Sequence, residues 1–233
     1  MARRRKKQQQ KQNEDTLVDI VEVRDNAQGF IEKNQGMIFG VLVGLVAIIG
    51  GIFAYNNFYK GPRVQEAANQ LYQAQAQFEK DSFTVALTNP GGGYSGFLDI
   101  IDSYGGTPAA NSAKYYAGIS YLNLGDFDNA IKYLGDYSAA GDVLPVMKYG
   151  AMGDAYSEKN EMDKAISHYN KAVSQGGNDV LVAYYLKKIG LWNEKNKDFK
   201  AAQAAYQRIK SEFPDSPDGG DIDKFLARVN ARL

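Results

Sequence analysis

Few residues in this sequence have the type or spacing that chemistry at a site demands. There is no cysteine in the 233 residues, which removes disulfides, thiol nucleophiles and thiolate metal sites. The one histidine, His168, lies in AISHYNKA within a predicted helix, with no second histidine or cysteine to share a metal. Gly91 to Gly93 read GGG but stand outside any strand-to-helix junction, so they do not form a phosphate loop. Carboxylates gather in GDFDNA and PDSPDGGDID. The first reads as a turn and the second as a linker, and neither has the spacing of a calcium-binding hand. These residues point to no catalytic group, metal or cofactor. The chain is expected to act by binding rather than by catalysis.

Charge narrows the class of partner. Residues 1–36 carry eight Lys/Arg and six Asp/Glu, whereas residues 56–233 carry nineteen against twenty-one. A nucleic-acid binder concentrates basic residues on its folded part; this chain does not, and nucleic acid is excluded as an expected partner. Hydrophobic content of 44% and charged content of 23% are those of a folded protein.

From Asn34 to Tyr59 no charge occurs, and Met37 to Tyr55 is an apolar run of 19 residues. At 1.5 Å per residue it spans roughly 28 Å, close to the hydrocarbon thickness of a bilayer. A cleaved signal peptide has a short basic head, a shorter core and a small-x-small site. Here a mixed-charge head of 36 residues precedes the run, and IFAYNNFYKGP after it offers no such site. A transmembrane signal-anchor over 36–59 is therefore expected. MARRRKKQQQK carries six basic residues, which places the N-terminus in the cytoplasm, although Lys60 and Arg63 nearly balance Arg24 and Lys33 beside the membrane. Tyr55, Phe58 and Tyr59 form an aromatic belt. Gly36, Gly40, Gly44, Ala47 and Gly51 form a small-residue stripe. It suits contact with another helix, or reflects the ordinary glycine content of membrane helices. In the tail, residues 1–35, Leu17, Ile20, Val21, Arg24 and Ile31 form an approximate helical stripe. It reads either as a short amphipathic helix or as a solvated spacer.

Three later segments align. They are YYAGISYLNLGDFDNAIKYLGDY, YGAMGDAYSEKNEMDKAISHYNKAV and YYLKKIGLWNEKNKDFKAAQAAYQRI. Gly118, Gly153 and Gly190 take one small position; Ala130, Ala165 and Ala202 follow twelve residues later, and Leu134, Tyr169 and Tyr206 four after that. Tyr121 and Tyr156 stand three after their glycines, whereas the third segment has Asn193 there and Trp192 before it. Two antiparallel helices that cross closely need Gly or Ala at the crossing and large side chains beside it; a turn rich in Gly, Asn and Asp reverses the chain. The pattern resembles the tetratricopeptide repeat. An all-α fold follows: one N-terminal transmembrane helix, then a right-handed solenoid of helix pairs over 60–220. Its units are a degenerate one at 62–108, then about 111–145, 146–180 and 183–216, with a capping helix at 221–233. In the degenerate unit, Val64 to Lys80 reads as one helix using Ala68, Leu71, Tyr72, Ala74 and Phe78, and Tyr94 to Tyr104 as the next, the turn being enlarged at Asn89 to Gly93.

By this resemblance, the concave side is lined by first-helix residues. They are Tyr115, Ile119, Leu122 and Asn123, then Met147, Asp154, Ser157 and Glu158, then Tyr184, Lys187 and Leu191. The Lys and Asn clamp that holds a terminal carboxylate in chaperone-tail-binding repeats is missing, Gly150 and Asp154 standing in its place. A partly apolar segment or a partner helix is the expected occupant, unless several of these residues pack against a neighbouring helix or the long loop.

The whole chain also resembles the YfgM family of bacterial inner-membrane proteins. The resemblance rests on the basic tail, the single anchor and FLDIIDSYGGTPAANSAKYYAGISYLNLGDFDNAIKYL. It implies a periplasmic repeat domain, association with the SecYEG translocon and with a PpiD-like chaperone, help to nascent secretory polypeptides, and no catalytic residues. The alternative is an envelope scaffold that organises another membrane or outer-membrane complex.

Overall fold

The computed structural model describes residues 28–233, and all regular structure among them is helical. Leu17, Ile20, Val21 and Arg24 of the tail stripe lie outside the described residues. The chain divides into two units, Met1–Gly61 and Pro62–Leu233.

In the first unit, 28–33 are helical and α1 follows, Gln35–Ala54. Its 20 residues include no charge, and none of its side chains is buried. The ladder then widens into a π segment, Tyr55–Lys60, in which the Gly61 N–H donates to the Asn56 carbonyl, five residues back. The widening comes just before Pro62, which lacks an N–H and whose ring would press on the carbonyl four residues earlier. Tyr55 and Tyr59 stack there, ring centres 5.4 Å apart.

The second unit contains α2 (Gly61–Phe78), α3 (Phe83–Thr88), α4 (Phe97–Ser103), α5 (Pro108–Asn123), α6 (Phe127–Asp136), α7 (Leu144–Glu158), α8 (Met162–Gln175), α9 (Asp179–Lys195), α10 (Phe199–Glu212) and α11 (Ile222–Asn230). The pairs α5–α6, α7–α8 and α9–α10 reverse through one turn design. The second residue after each first helix has a left-handed backbone: Gly125 (φ 79°), Asn160 (φ 60°) and Lys197 (φ 62°). The next N–H then reaches back five residues, from Asp126 to Tyr121, Glu161 to Tyr156 and Asp198 to Asn193. Asp126 and Asp198 also cap the following helix by accepting the N–H of Asn129 and Ala201.

The same turn occurs at Asp81 (φ 56°), where the Ser82 N–H donates to the Gln77 carbonyl. The first reversal therefore comes before the Asn89 to Gly93 insertion, not at it. The second helix of this unit begins at Phe83 and is broken into α3 and α4 by residues 89–96. Small residues agree: Ala74 and Ala86, twelve apart and both fully buried, take the places of the later glycines and alanines. On α2 the inward alanine is Ala67, Ala68 lies at the surface and Tyr72 is 68% exposed. On α4, Phe97 and Ile100 are fully buried while Leu98 and Ile101 are half-buried.

Close crossing explains the glycines. A Cβ at Gly118 would lie 2.6 Å from Leu134 Cγ, one at Gly153 2.5 Å from the Tyr169 ring, and one at Gly190 2.2 Å from the Tyr206 ring. Each clash is with the residue four after the unit's alanine, and Ala130, Ala165 and Ala202 are themselves fully buried. Gly150 makes room between units, since a Cβ there would lie 1.8 Å from the Tyr185 ring carbon that bears its hydroxyl. The last pair is closed by α11: Arg228 donates to both Glu194 carboxylate oxygens (2.8 and 2.6 Å), and Tyr206 donates to the same group (2.7 Å).

Candidate functional site

The first helices of three successive pairs present their C-terminal ends to one cleft of about 760 Å³. Helical periodicity sets the lining. On α5 it is Leu122 and Asn123, with Gly125 from the turn and Phe127 from the start of α6; on α7 it is Asp154, Ser157 and Glu158; on α9 it is Lys188, Leu191, Trp192 and Lys195, a stripe at the spacing of one helix face. Tyr169 reaches the cleft from α8. Six of the eleven residues expected to line the concave face thus converge: Leu122, Asn123, Asp154, Ser157, Glu158 and Leu191.

The other five are placed elsewhere. Tyr115 and Ile119 pack on Leu134 and on Ala151 and Met152 of the next unit. Tyr115 is further covered by Tyr137, ring centres 5.4 Å apart, and burial beside Tyr116 and Tyr137 pushes its phenol up to about 12. The segment carrying Tyr137 is tied over α5, Ser138 and Asn111 exchanging two hydrogen bonds of 2.9 Å. Lys187 is taken by the chain after α10, where it donates to Asp218 at 2.6 Å and sits over the Phe225 ring. Met147 is half-buried and Tyr184 is 42% exposed, and neither borders the cleft. The linkers that follow α6 and α10 therefore occupy part of the first-helix faces.

The cleft has a fixed polar anchor. Asp154 accepts from the Tyr169 hydroxyl at 2.7 Å and from Lys188 Nζ at 2.5 Å. Lys188 also lies over the Tyr184 ring at 4.7 Å and near the rings of Tyr169 and Tyr185. Burial alone would lower its pKa, but the bond to Asp154 and the contact with Tyr184 outweigh this, and the net shift is upward. Tyr169 shifts upward as well, through burial and the Asp154 charge. The ion pair thus neutralises itself at the cleft wall. Around it lie Leu122, Phe127, Leu191 and Trp192, with Lys195 above the indole at 4.3 Å. Glu158 is exposed at the end of α7.

Lys188, Trp192 and Lys195 escaped the sequence reading. Their signal was the helical spacing from Leu191, which an ungapped extension of the lining would have followed. His168 has a packing role. Its ring lies tilted against Tyr156 (4.9 Å), where Tyr133 stacks on Tyr121 one unit earlier (5.5 Å), and Nδ1 lies 2.9 Å from the Lys164 carbonyl. Burial lowers its pKa against the opposing effect of that carbonyl. Among the described residues no three His, Cys, Asp or Glu side chains converge as a metal site would require.

These features define a repeat protein with a shared cleft, and comparison with known families agrees. One tetratricopeptide-repeat model matches residues 112–139 and 186–216, and a second matches 149–175. The matched segments fall on α5–α6, α9–α10 and α7–α8, so the chain carries tetratricopeptide repeats, the class of helix pairs that serves protein–protein interaction. The unmatched pair α2–α4 shares their turn and small-residue spacing. No curated protein matches the chain. Among the described residues one helical run, containing α1, is long and apolar enough to cross a membrane.

Proposed function

We propose that this chain is a membrane-anchored adaptor whose repeat unit holds a protein partner in the cleft between α5, α7 and α9. The observation that carries this reading is the convergence of three in-phase repeats on one half-apolar cleft, in a chain whose N-terminal helix is apolar throughout. Leu122, Leu191 and Trp192 supply apolar area, while Asp154 and Lys188 cancel each other and leave the wall without a net charge. Such a wall suits an apolar segment or an amphipathic helix better than a charged tail. The reading assigns the chain binding and no reaction.

The compartment and the partners come from the YfgM resemblance. On that reading the N-terminus is cytoplasmic, the repeat unit is periplasmic, and the partners are the SecYEG translocon and a PpiD-like chaperone. The chain then assists secretory or membrane proteins as they emerge. The small residues of α1 from Gly36 to Gly51 are the proposed contact with a membrane helix of that assembly. Purification of the full chain in mild detergent tests this: co-purification of translocon subunits and the chaperone is expected. Their absence, with components of an outer-membrane assembly machine in their place, selects the scaffold alternative.

A further inference from the structure

The insertion that breaks the second helix of the first pair builds a separate notch. Successive turns Asp81, Gly125, Asn160 and Lys197 are 44, 35 and 37 residues apart, so the first unit alone carries the extra segment. Insertions in repeat arrays frequently form binding loops. This loop is held in place. The Ser95 N–H donates to Gln70 Oε1 at 2.7 Å, and Gln77 donates to the Pro90 carbonyl at 3.2 Å. Gly91, Gly92 and Gly93 all have positive φ, which only glycine adopts readily in succession. A Cβ at Gly92 would meet the Tyr94 ring at 3.2 Å, so the bare glycine leaves room for the ring beside the loop. The result is a notch of about 400 Å³ between Tyr94 and the outer face of α2, where Glu66, Asn69, Tyr72 and Gln73 stand.

We propose that this notch binds a neutral oligosaccharide. Tyr72 and Tyr94, 68% and 40% exposed, offer flat aromatic faces on which the C–H face of a sugar ring packs. None of the five lining residues is cationic, which disfavours phosphate, carboxylate and nucleic acid. Among the described residues the side chains of Asn69 and Gln73 make no hydrogen bond, and both carboxamides donate and accept. A polyproline segment also stacks on tyrosine, but it brings acceptors alone. Glu66 Oε1 already accepts from Gln70 Nε2 at 2.7 Å, but its second oxygen, the two carboxamide oxygens and the phenol oxygens can each accept a further hydrogen bond, and sugar hydroxyls supply donors and acceptors together.

The test is calorimetric titration of the full chain in lipid nanodiscs with chitotetraose and with maltotetraose, and with decaproline as the competing class. One saccharide is expected to bind. Tyr72→Ala and Tyr94→Ala each weaken it by about tenfold or more, while Tyr94→Phe, which keeps the stacking face, stays within about threefold. Gln73→Leu, which leaves the loop untouched, weakens it as well. Thermal melts establish that each variant is folded. No binding of either saccharide, binding unchanged in both alanine variants, or binding of decaproline alone at these tyrosines overturns the proposal.

Discussion

Gly190→Ala separates two opposing effects of one methyl group. In an exposed helix the change gains about 1 kcal/mol from propensity. At Gly190 the new Cβ would lie 2.2 Å from the Tyr206 ring, against about 3.4 Å for ordinary contact, so the ring must retreat by roughly 1.2 Å. Tyr206 is fully buried, lies against Phe225 and donates to Glu194 at 2.7 Å, so it has little room to move. Overpacking costs about 1–3 kcal/mol. Loss of a hydrogen bond to a charged group costs roughly 1.5–3 kcal/mol. Net of propensity, a loss of about 1.5–5 kcal/mol is expected, a fall in Tm of roughly 3–20 °C for a unit of this size. The assay is thermal denaturation of the detergent-solubilised chain followed by circular dichroism, with Tyr206→Ala and the double variant completing a cycle. In the double variant the clash is gone, so the two losses must be strongly less than additive. A neutral or raised Tm for Gly190→Ala, or strict additivity, refutes the close-crossing explanation of the repeat glycines.

Other expectations follow from the same geometry. Among the described residues Ser120 Oγ, which is buried, has no hydrogen-bond partner; Ser120→Ala should raise stability by about 1 kcal/mol in the same melt, relieving an unmet desolvation cost. Asp154→Ala leaves Lys188 and the Tyr169 hydroxyl without their acceptor. A loss of about 1–2 kcal/mol is expected, discounted because both ion-pair partners are partly exposed. Burial pushes the Glu194 pKa up, but the bonds from Arg228 and Tyr206 outweigh it and the net shift is downward. Its contribution is therefore fully present above the ordinary glutamate pKa and disappears as pH falls through the lower, folded value. Hydrogen-exchange protection of residues 222–230, the observed rate corrected for the intrinsic pH dependence, should fall across that acid range, and protection that stayed constant would count against a role for Glu194 in holding α11. Replacing Gly40 and Gly44 by leucine should keep the chain in the membrane and weaken its co-purification with membrane partners.

The repeat register was legible in the sequence because crossing geometry leaves little choice of residue. Gly118, Gly153 and Gly190 face Leu134, Tyr169 and Tyr206 at fixed offsets, and a side chain at any of these glycines would collide. The first unit was harder to read because alanine, which is common in any helix, replaces glycine at Ala74. Its turn at Asp81 also lacks the Gly or Asn signature, while the conspicuous GGG downstream suggested a reversal that had already taken place. Part of the cleft followed from helix periodicity, as Leu122, Asp154 and Leu191 illustrate. The covering of Tyr115 by Tyr137 and the capture of Lys187 by Asp218 depend on where irregular linkers return over the helices. Periodicity carries no information about such long-range contacts.

The central claim is that the cleft between α5, α7 and α9 holds a protein partner of the membrane-anchored chain. A photo-crosslinking amino acid at Leu191, on the cleft wall and 42% exposed, tests it most directly in intact membranes, with Lys132 on the exposed side of α6 as the control position. The account predicts a discrete adduct at Leu191 that contains a translocon subunit or the chaperone, is lost on Trp192→Ala, and does not form from Lys132. No adduct at Leu191, or the same adduct from both positions, contradicts it.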